Sequence, residues 1–137
     1  MDHVAELTRE PLEKIIKGER KIEPIFIREE TPPYRSINVD DTVYFKMKDG
    51  FAIAKATVSK VENYEDLTPE KATEIIEEHR EEISPSEIMF ERDIYYKYAT
   101  LIWIDKLYEI KPFRVRRDST NPSSWSMVED INKLREH

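Results

Sequence analysis

The dipeptide Asp49-Gly50 separates two segments that both have strand periodicity, and this arrangement most constrains the fold. Asp-Gly between alternating segments is a strong signal for a two-residue β-hairpin, so the flanking strands must be antiparallel. In the first segment, 41–47, apolar residues alternate with polar ones. In the second, 51–64, the small residues Ala52, Ala54 and Ala56 fall on one side. Small inward residues predict a tightly curved sheet or a small barrel.

Helical signals flank this hairpin. Thr8 precedes a predicted helix over 9–17 with an apolar stripe, and Gly18 stands where a left-handed C-cap is needed. Thr68 and Pro69 begin a predicted helix over 68–82. Further helices are predicted after the capping box at 84–87 and over 122–135.

The remaining segments are predicted as strands and loops. Strands are expected at 3–7, at 21–27 and at 95–104, with a turn at Asp105-Lys106 into a closing strand. The paired prolines of segment 29–36 predict a surface loop. Strand hairpins kept apart from helices predict an α+β protein, a curved and mainly antiparallel sheet with flanking helices, in a single domain over 1–137.

Composition excludes several classes of function. With no cysteine and only three scattered histidines, we expect no disulfide, no metal site and no cofactor. No run of eighteen apolar residues occurs, so we expect no membrane span. The N-terminal segment 1–10 is acidic and amphipathic, so we expect no signal peptide. A cytoplasmic location is the default expectation. Few glycines with many Lys, Glu and Ile fit a thermophile composition.

The net charge of −7 is distributed unevenly. Residues 69–91 hold eight glutamates against one lysine and one arginine, which accounts for six of the seven net negative charges. The segment 111–118 instead holds four cations and one carboxylate. An acidic helix that faces away from the ligand leaves room for a neutral or basic binding surface elsewhere.

The spacing of two short motifs resembles the ASCH domain of the PUA-like superfamily. That family has a helix ending in Gly, then G-x-K-x-x-E on a strand, a proline-containing loop, and a Gly-Asp pair before an alternating strand. Here the corresponding segments are 18–23 and 40–45, and the resemblance covers roughly residues 5–112. It implies a PUA-like pseudo-barrel with a cleft beside the first motif. Known relatives bind RNA or modified bases, and some hydrolyse RNA or acylated cytidine.

The chain departs from the ASCH pattern at three positions. Arg20 replaces the motif lysine, unless the register slips onto Lys21; Ile25 replaces an expected arginine, for which Arg28 is the nearest substitute; and Asp40 replaces the glycine of Gly-Asp. An arginine stays protonated and cannot act as a base, so Arg20 in the cleft favours anion binding over lysine-assisted catalysis. Neighbouring strand residues face opposite ways, and we expect Arg20 to point inward.

The first functional hypothesis is a cleft that binds RNA or a nucleotide-like ligand. Its cations hold phosphate, an aromatic ring stacks on a base, and a carboxylate accepts from an amine or a hydroxyl. The candidate residues are Arg20, Lys21, Glu23, Arg28, Tyr34, Arg35, Arg114 and Arg116. Replacing Arg20 by Ala is expected to weaken binding and leave the fold intact.

Other interpretations remain open at this stage. A small hydrolase of modified nucleosides or RNA would need Lys21 and Glu23 to converge as catalytic residues, with Tyr44, Thr57 or Lys46 completing the set. A protein-interaction module would use the acidic helix. The charges of segment 20–23 could also form only a solvated strand edge, and those of 114–117 a charged edge strand. Trp125 either seals the core or stacks on a ligand. The tyrosines of segment 95–98 are expected mostly in the core, and one exposed ring could stack on a base.

Overall fold

The computed structural model of the chain describes residues 1–48, 50–85, 95–116 and 124–136. In these ranges the strands are β1 (Asp2–Leu7), β2 (Ile22–Ile27), β3 (Thr42–Met47), β4 (Phe51–Tyr64), β5 (Tyr98–Val115), β6 (Trp125–Val128) and β7 (Arg135–Glu136). The helices are α1 (Arg9–Ile16), α2 (Pro69–Glu78) and α3 (Arg80–Ile83), with a 3-10 turn at Ile131–Lys133. No helix in the described ranges is both long and apolar enough to cross a membrane.

The strands form one curled sheet in the order β2-β5-β4-β3-β1-β6, with β7 pairing on β5. Every pairing is antiparallel except that of β1 with β3. The long strands β4 and β5 shift register at three places, and such bulges increase strand twist and bend the sheet into a half-barrel. The predicted α+β class, with a curved and mainly antiparallel pseudo-barrel, is confirmed.

Alternation along the strands separates an inner core from two outer clusters. The inner core includes Phe45, Ala54, Ala56 and Ile102, and α1 closes it through Leu12 and Ile15. A second cluster packs α2 and α3 against the opposite face of β2 and β5. Ala52 was expected beside Ala54, but it lies in a third cluster because the register shifts between them.

The ends of the helices follow local sequence. Gly18 has a positive φ of 77°, and a Cβ added there would meet no neighbouring atom within 4 Å, so backbone conformation and not crowding requires glycine. The Thr68 side chain accepts from the Lys71 N–H at 3.2 Å and caps α2. The predicted helix over 68–82 is interrupted at His79, whose φ of −115° divides it into α2 and α3. The His79 ring packs edge-on against Trp103.

Two predicted elements are wrong. The terminal helix over 122–135 is replaced, in its described part, by β6, the 3-10 turn and the start of β7. Tertiary pairing overrides local helix propensity here, because β6 covers the open edge of β1. The turn at Asp105-Lys106 is absent, since β5 runs through it and absorbs a bend at Lys106, where φ is 49°. Asp49 and most of the helix predicted after residue 84 lie outside the described residues.

A buried hydrogen-bonded network fixes β1 between β6 and the turn before β3. The His3 ring is fully buried, its Nδ1 is 3.1 Å from Trp125 Nε1, and its Nε2 is 2.8 Å from Asp41 Oδ2. Because an indole N–H can only donate, Nδ1 must accept, and the proton of neutral His3 therefore lies on Nε2 and is donated to Asp41. Trp125 is also buried and so seals the core.

This network predicts that the contribution of His3 to the free energy of unfolding is lost in mild acid. Burial lowers the pKa of His3 below 6.5, despite the opposing hydrogen bond to Asp41. The unfolded chain then binds a proton at higher pH than the folded chain, so the stability is fully present above 6.5 and is lost as the pH falls. Urea unfolding from about pH 8 to about pH 5 should show a steeper loss for the wild type than for His3→Gln. Identical pH dependence in both proteins would contradict the buried neutral imidazole.

Candidate functional site

The Arg20 side chain is buried in the connection between α1 and β2, with about 5% of its surface exposed. Its Nε donates to the Ile83 carbonyl at 2.8 Å, and one terminal nitrogen lies 3.4 Å from Glu23 Oε2. Ile83 is the last residue of α3, where carbonyls lack partners within the helix. Arg20 therefore caps a helix C-terminus and pairs with a buried carboxylate at the same time.

Two neighbouring contacts strengthen the same junction. The Lys14 ammonium donates to the Ser84 carbonyl at 2.7 Å, and the Lys21 backbone N–H donates to the Glu82 carbonyl at 2.7 Å. Together with Arg20, they satisfy three successive carbonyls at the end of α3. We call this set of contacts from Lys14, Arg20 and Lys21 the helix clamp. It attaches the α1–β2 connection to the α2–α3 unit.

Glu23 lies on the inner face of β2. It pairs across the ladder with Ile102, and its neighbour on that face, Ile25, packs against the inner core. Only 4% of Glu23 is exposed. Burial raises the pKa of Glu23 to about 7, although the Arg20 charge and hydrogen bond oppose the rise. The long 3.4 Å contact explains why Arg20 only partly offsets the desolvation.

The structure separates Lys21 from Glu23. The Lys21 side chain is exposed, while that of Glu23 is buried and directed to the inner core. Tyr44 and Lys46, two of the groups named to complete a catalytic set, instead contact Phe113 and Glu6. No described contact joins Lys21, Tyr44, Thr57 or Lys46 to Glu23.

Arg28 lies in a different environment, just beyond the end of β2. It lines an open groove of about 440 Å³ together with Phe26, Glu29, Thr31 and Tyr96. Phe26 and Tyr96 meet edge to face, with ring centroids 6.3 Å apart. The groove thus combines a guanidinium with two aromatic rings.

Tyr34 and Arg35 lie close to this groove, on the loop that follows β2. Tyr34 is only 5% exposed, so the expected surface ring is instead packed against Tyr98 at 4.8 Å. Burial raises the pKa of Tyr34, and its buried hydroxyl has no hydrogen-bond partner among the described residues. The exposed Arg35 guanidinium stands 5.3 Å above the Tyr34 ring and 3.5 Å from Glu65.

Lys97 connects the groove with the Tyr34–Arg35 pair, and this lysine was not predicted from the sequence. Its ammonium lies 5.7 Å from the Tyr98 ring, and its backbone N–H donates to the Ile27 carbonyl at 3.1 Å. A continuous series of contacts therefore runs from Arg35 through Tyr34, Tyr98 and Lys97 to the end of β2. We call the set Arg28, Tyr34, Arg35, Tyr96, Lys97 and Tyr98 the cation–aromatic surface. The position of Lys97 among the three tyrosines of segment 95–98 was the only sequence signal for this lysine, and it gave no indication of its contacts.

Arg114 and Arg116 do not join that surface. They lie at the other end of β5, where Arg114 pairs with Phe51 and Glu136 across the ladders. Both side chains are exposed, while Phe113 and Val115 are buried. The described residues contain no cluster of three histidine, cysteine or acidic side chains arranged to hold a metal ion.

Comparison with solved structures identifies the fold. A tyrosine-to-phenylalanine mutant of the ASCH protein from Zymomonas mobilis matches with a TM-score of 0.68 and 14% identity, covering 98% of this chain and 99% of that chain. Its parent protein matches with a TM-score of 0.68 and 13% identity, covering 98% and 96% of the two chains. A serine-to-alanine mutant gives a TM-score of 0.69 at 13% identity, with the same coverage as the parent.

This chain has the ASCH fold. The match extends over nearly the whole chain, so the ASCH fold includes the β6–β7 region as well as the predicted range 5–112. No protein-family model matches the sequence, and no curated protein matches it. The three-dimensional comparison therefore supports the resemblance that short motifs indicated, and it does so for the fold alone.

The helix clamp changes the expectation for Arg20→Ala. Removing the guanidinium leaves the Ile83 carbonyl and the Glu23 carboxylate buried without it. We expect a loss of about 3 kcal/mol in the free energy of unfolding, as for other broken buried pairs. Lys21→Ala keeps the backbone hydrogen bond to Glu82 and should change the free energy of unfolding by less than about 0.5 kcal/mol. Denaturant unfolding compares the two variants, and equal losses would contradict the clamp.

Glu23 predicts a pH dependence opposite in sign to that of His3. Its folded pKa of about 7 lies above the ordinary 4.5, so the folded chain holds a proton that the unfolded chain has released. Stability should fall as the pH rises from 4.5 to about 7, by roughly 3 kcal/mol for this group. Glu23→Gln removes this contribution. Unfolding measured across that range should show that the wild type loses more stability than the Glu23→Gln variant, in which the opposing contribution of His3 remains.

Proposed function

We propose that this chain binds single-stranded RNA, or a nucleotide-like ligand, at the cation–aromatic surface. The observation that supports this site is the contact series in which Arg35 and Lys97 each stand over a tyrosine ring. Arg28 lines the open groove that includes Ile27, whose carbonyl accepts from the Lys97 N–H. Aromatic rings next to cations are typical of single-strand binding, since bases stack on rings while cations neutralise phosphates. The resemblance to ASCH domains that bind RNA or modified bases favours the same function.

The Tyr34 hydroxyl is buried without a partner among the described residues, and a ligand at this end of the half-barrel can reach it only if the groups that cover it move. A buried polar atom without a partner costs free energy unless water or a ligand completes its hydrogen bond. Burial raises the pKa of Tyr34, so the hydroxyl stays protonated at neutral pH and can donate. An unstacked base offers ring nitrogens and carbonyl oxygens as acceptors.

Acidic neighbours limit the electrostatic share of the binding. Glu29 lines the groove, and Glu65 pairs with Arg35. The Arg35–Glu65 pair is exposed on both sides, so it is weak and readily replaced by a phosphate contact. Affinity at this surface should therefore depend more on stacking, worth about 1–3 kcal/mol per base, than on phosphate contacts.

In this proposal the helix clamp supports the ligand site and does not contact the ligand. Arg20 is 5% exposed, and its Nε and one terminal nitrogen already contact Ile83 and Glu23, so its burial leaves it poorly placed to reach a phosphate. Lys21 and the distant Arg114 and Arg116 are likewise not part of the proposed surface.

One observation favours a hydrolase as the second candidate. A buried carboxyl with a pKa of about 7 can exchange a proton at neutral pH, as general acid–base catalysis requires. The catalytic residue would be Glu23, without Lys21. Incubation of acylated cytidine or RNA with the wild type and with Glu23→Gln separates this function from binding alone.

The binding proposal predicts a specific loss in the triple variant Arg28→Gln/Arg35→Gln/Lys97→Gln. If each cation contributes about 1 kcal/mol, the affinity for a short single-stranded RNA falls about a hundredfold. The slope of log affinity against log salt should become shallower by about two, since each phosphate contact on a single strand contributes about 0.7. Titrations at two salt concentrations, followed by fluorescence anisotropy, measure both quantities.

A charge-matched control keeps this test from reporting net charge alone. Lys17, Lys71 and Lys106 are exposed cations outside the proposed surface. The variant Lys17→Gln/Lys71→Gln/Lys106→Gln changes the net charge equally and should retain wild-type affinity. Equal losses in both triple variants would show that RNA does not use the cation–aromatic surface.

A further inference from the structure

A second pocket lies on the outer side of the sheet, near the end of β5 that is remote from the cation–aromatic surface. It has a volume of about 230 Å³. Its lining is Tyr44, Lys55, Ile110, Lys111, Phe113, Ile131, Asn132 and Arg135. Three of these residues are cations and none is acidic, although the chain as a whole carries a net charge of −7.

The three cations lack carboxylate partners among the described residues. No acid lies within 4.0 Å of Lys55, Lys111 or Arg135 in the described ranges, whereas the buried Lys46 pairs with Glu6. Exposed lysines elsewhere in the part of the chain that the structure describes, such as Lys71, also lack an acid partner, but only here do three such cations line one described pocket. The Arg135 guanidinium rests 4.4 Å from the centroid of the Phe113 ring. Converging cations repel one another, so their combination at one pocket is stabilised when an anion occupies it.

Two acidic side chains near the pocket each accept a hydrogen bond from a backbone N–H. Asp2 Oδ2 accepts from the Ile131 N–H at 2.8 Å, and Asp130 Oδ1 accepts from the Asn132 N–H at 2.9 Å. These two contacts hold the 3-10 turn that forms one wall of the pocket. Burial, followed by the charges of Asp2 and Asp130, raises the pKa of Tyr44, so its hydroxyl remains a donor.

The apolar part of the pocket and an adjacent aromatic ring indicate a ligand that is larger than a bare anion. Ile110, Phe113 and Ile131 line the pocket beside the cations. Tyr108, which pairs with Lys55 across the ladder, is 59% exposed. Directly paired residues of an antiparallel ladder share a face, so this ring stands next to the Lys55 side chain. A flat ring beside a cationic pocket suits a ligand that joins an aromatic base to a phosphate.

We propose that this pocket is a separate binding site for a nucleoside monophosphate. Lys55, Lys111 and Arg135 hold the phosphate, Asn132 and Tyr44 supply neutral hydrogen-bonding groups, and Tyr108 stacks on the base. The site is distinct from the RNA surface, since Tyr98 at the start of β5 belongs to that surface and Phe113 near its end belongs to this pocket.

Calorimetric titration with AMP, adenosine and inorganic phosphate tests the proposal. AMP should bind more tightly than either fragment, because only AMP uses both the cations and the ring. Lys55→Gln/Lys111→Gln should weaken AMP binding about tenfold or more, while Lys71→Gln on α2 serves as the exposed control and leaves it unchanged. Tyr108→Ala should weaken AMP binding but leave the binding of phosphate intact.

Three results would overturn the proposal. The first is AMP binding that is unaffected by Lys55→Gln/Lys111→Gln. The second is AMP binding that is no tighter than the binding of phosphate. The third is an equal loss of single-stranded RNA binding in the same double variant, which would make the pocket part of an RNA path. Retained RNA binding with lost AMP binding supports two independent sites, and it also keeps a failure here distinguishable from a failure of the RNA proposal.

Discussion

The buried Arg20 guanidinium is the contact on which the arrangement of this fold depends. It caps the C-terminus of α3, and it holds Glu23 at the start of β2. The α2–α3 unit would otherwise touch the sheet mainly through apolar contacts, which are non-directional and fix distance better than orientation. An arginine suits this position because its planar fork reaches two partners and stays charged when buried. At Arg20, the motif that suggested a ligand-binding cation provides structural contacts to α3 and to Glu23.

In both proposals the ligand-binding groups lie along β5 and not at the motif. One end carries the rings and cations of the proposed RNA surface, and the other end carries a cationic pocket. Between them the inner face is almost wholly apolar, and there Glu23 is costly to ionise. His3 and Glu23 are both buried titratable groups. Burial lowers the pKa of His3 and raises the pKa of Glu23, so a rise in pH increases the contribution of His3 to stability and decreases that of Glu23. The dependence of wild-type stability on pH therefore does not reveal either contribution, because the two oppose each other.

The curved antiparallel sheet could be predicted because its signals are local. Gly18, the hairpin at residue 50 and the Thr68 cap each act within a few residues. The terminal segment could not be predicted, since β6 forms only by pairing with β1, more than a hundred residues away in sequence. Alternation required Arg20 and Lys21 to face opposite ways, and the motif position placed Arg20 inward, but neither carries information on burial by α3. Lys97 could not be recognised because its partners, Tyr98 and Ile27, meet only in the folded sheet.

Mapping a short single-stranded RNA onto backbone amides by NMR tests the central claim most directly. If the helix clamp is structural and the cation–aromatic surface binds the ligand, shift changes concentrate around residues 28–35 and 95–98, with little change over 18–23. The Lys21 amide, already bonded to α3, has no reason to respond. Shift changes centred on Arg20, Lys21 and Glu23 would contradict this account and would return the ligand to the cleft beside the glycine motif.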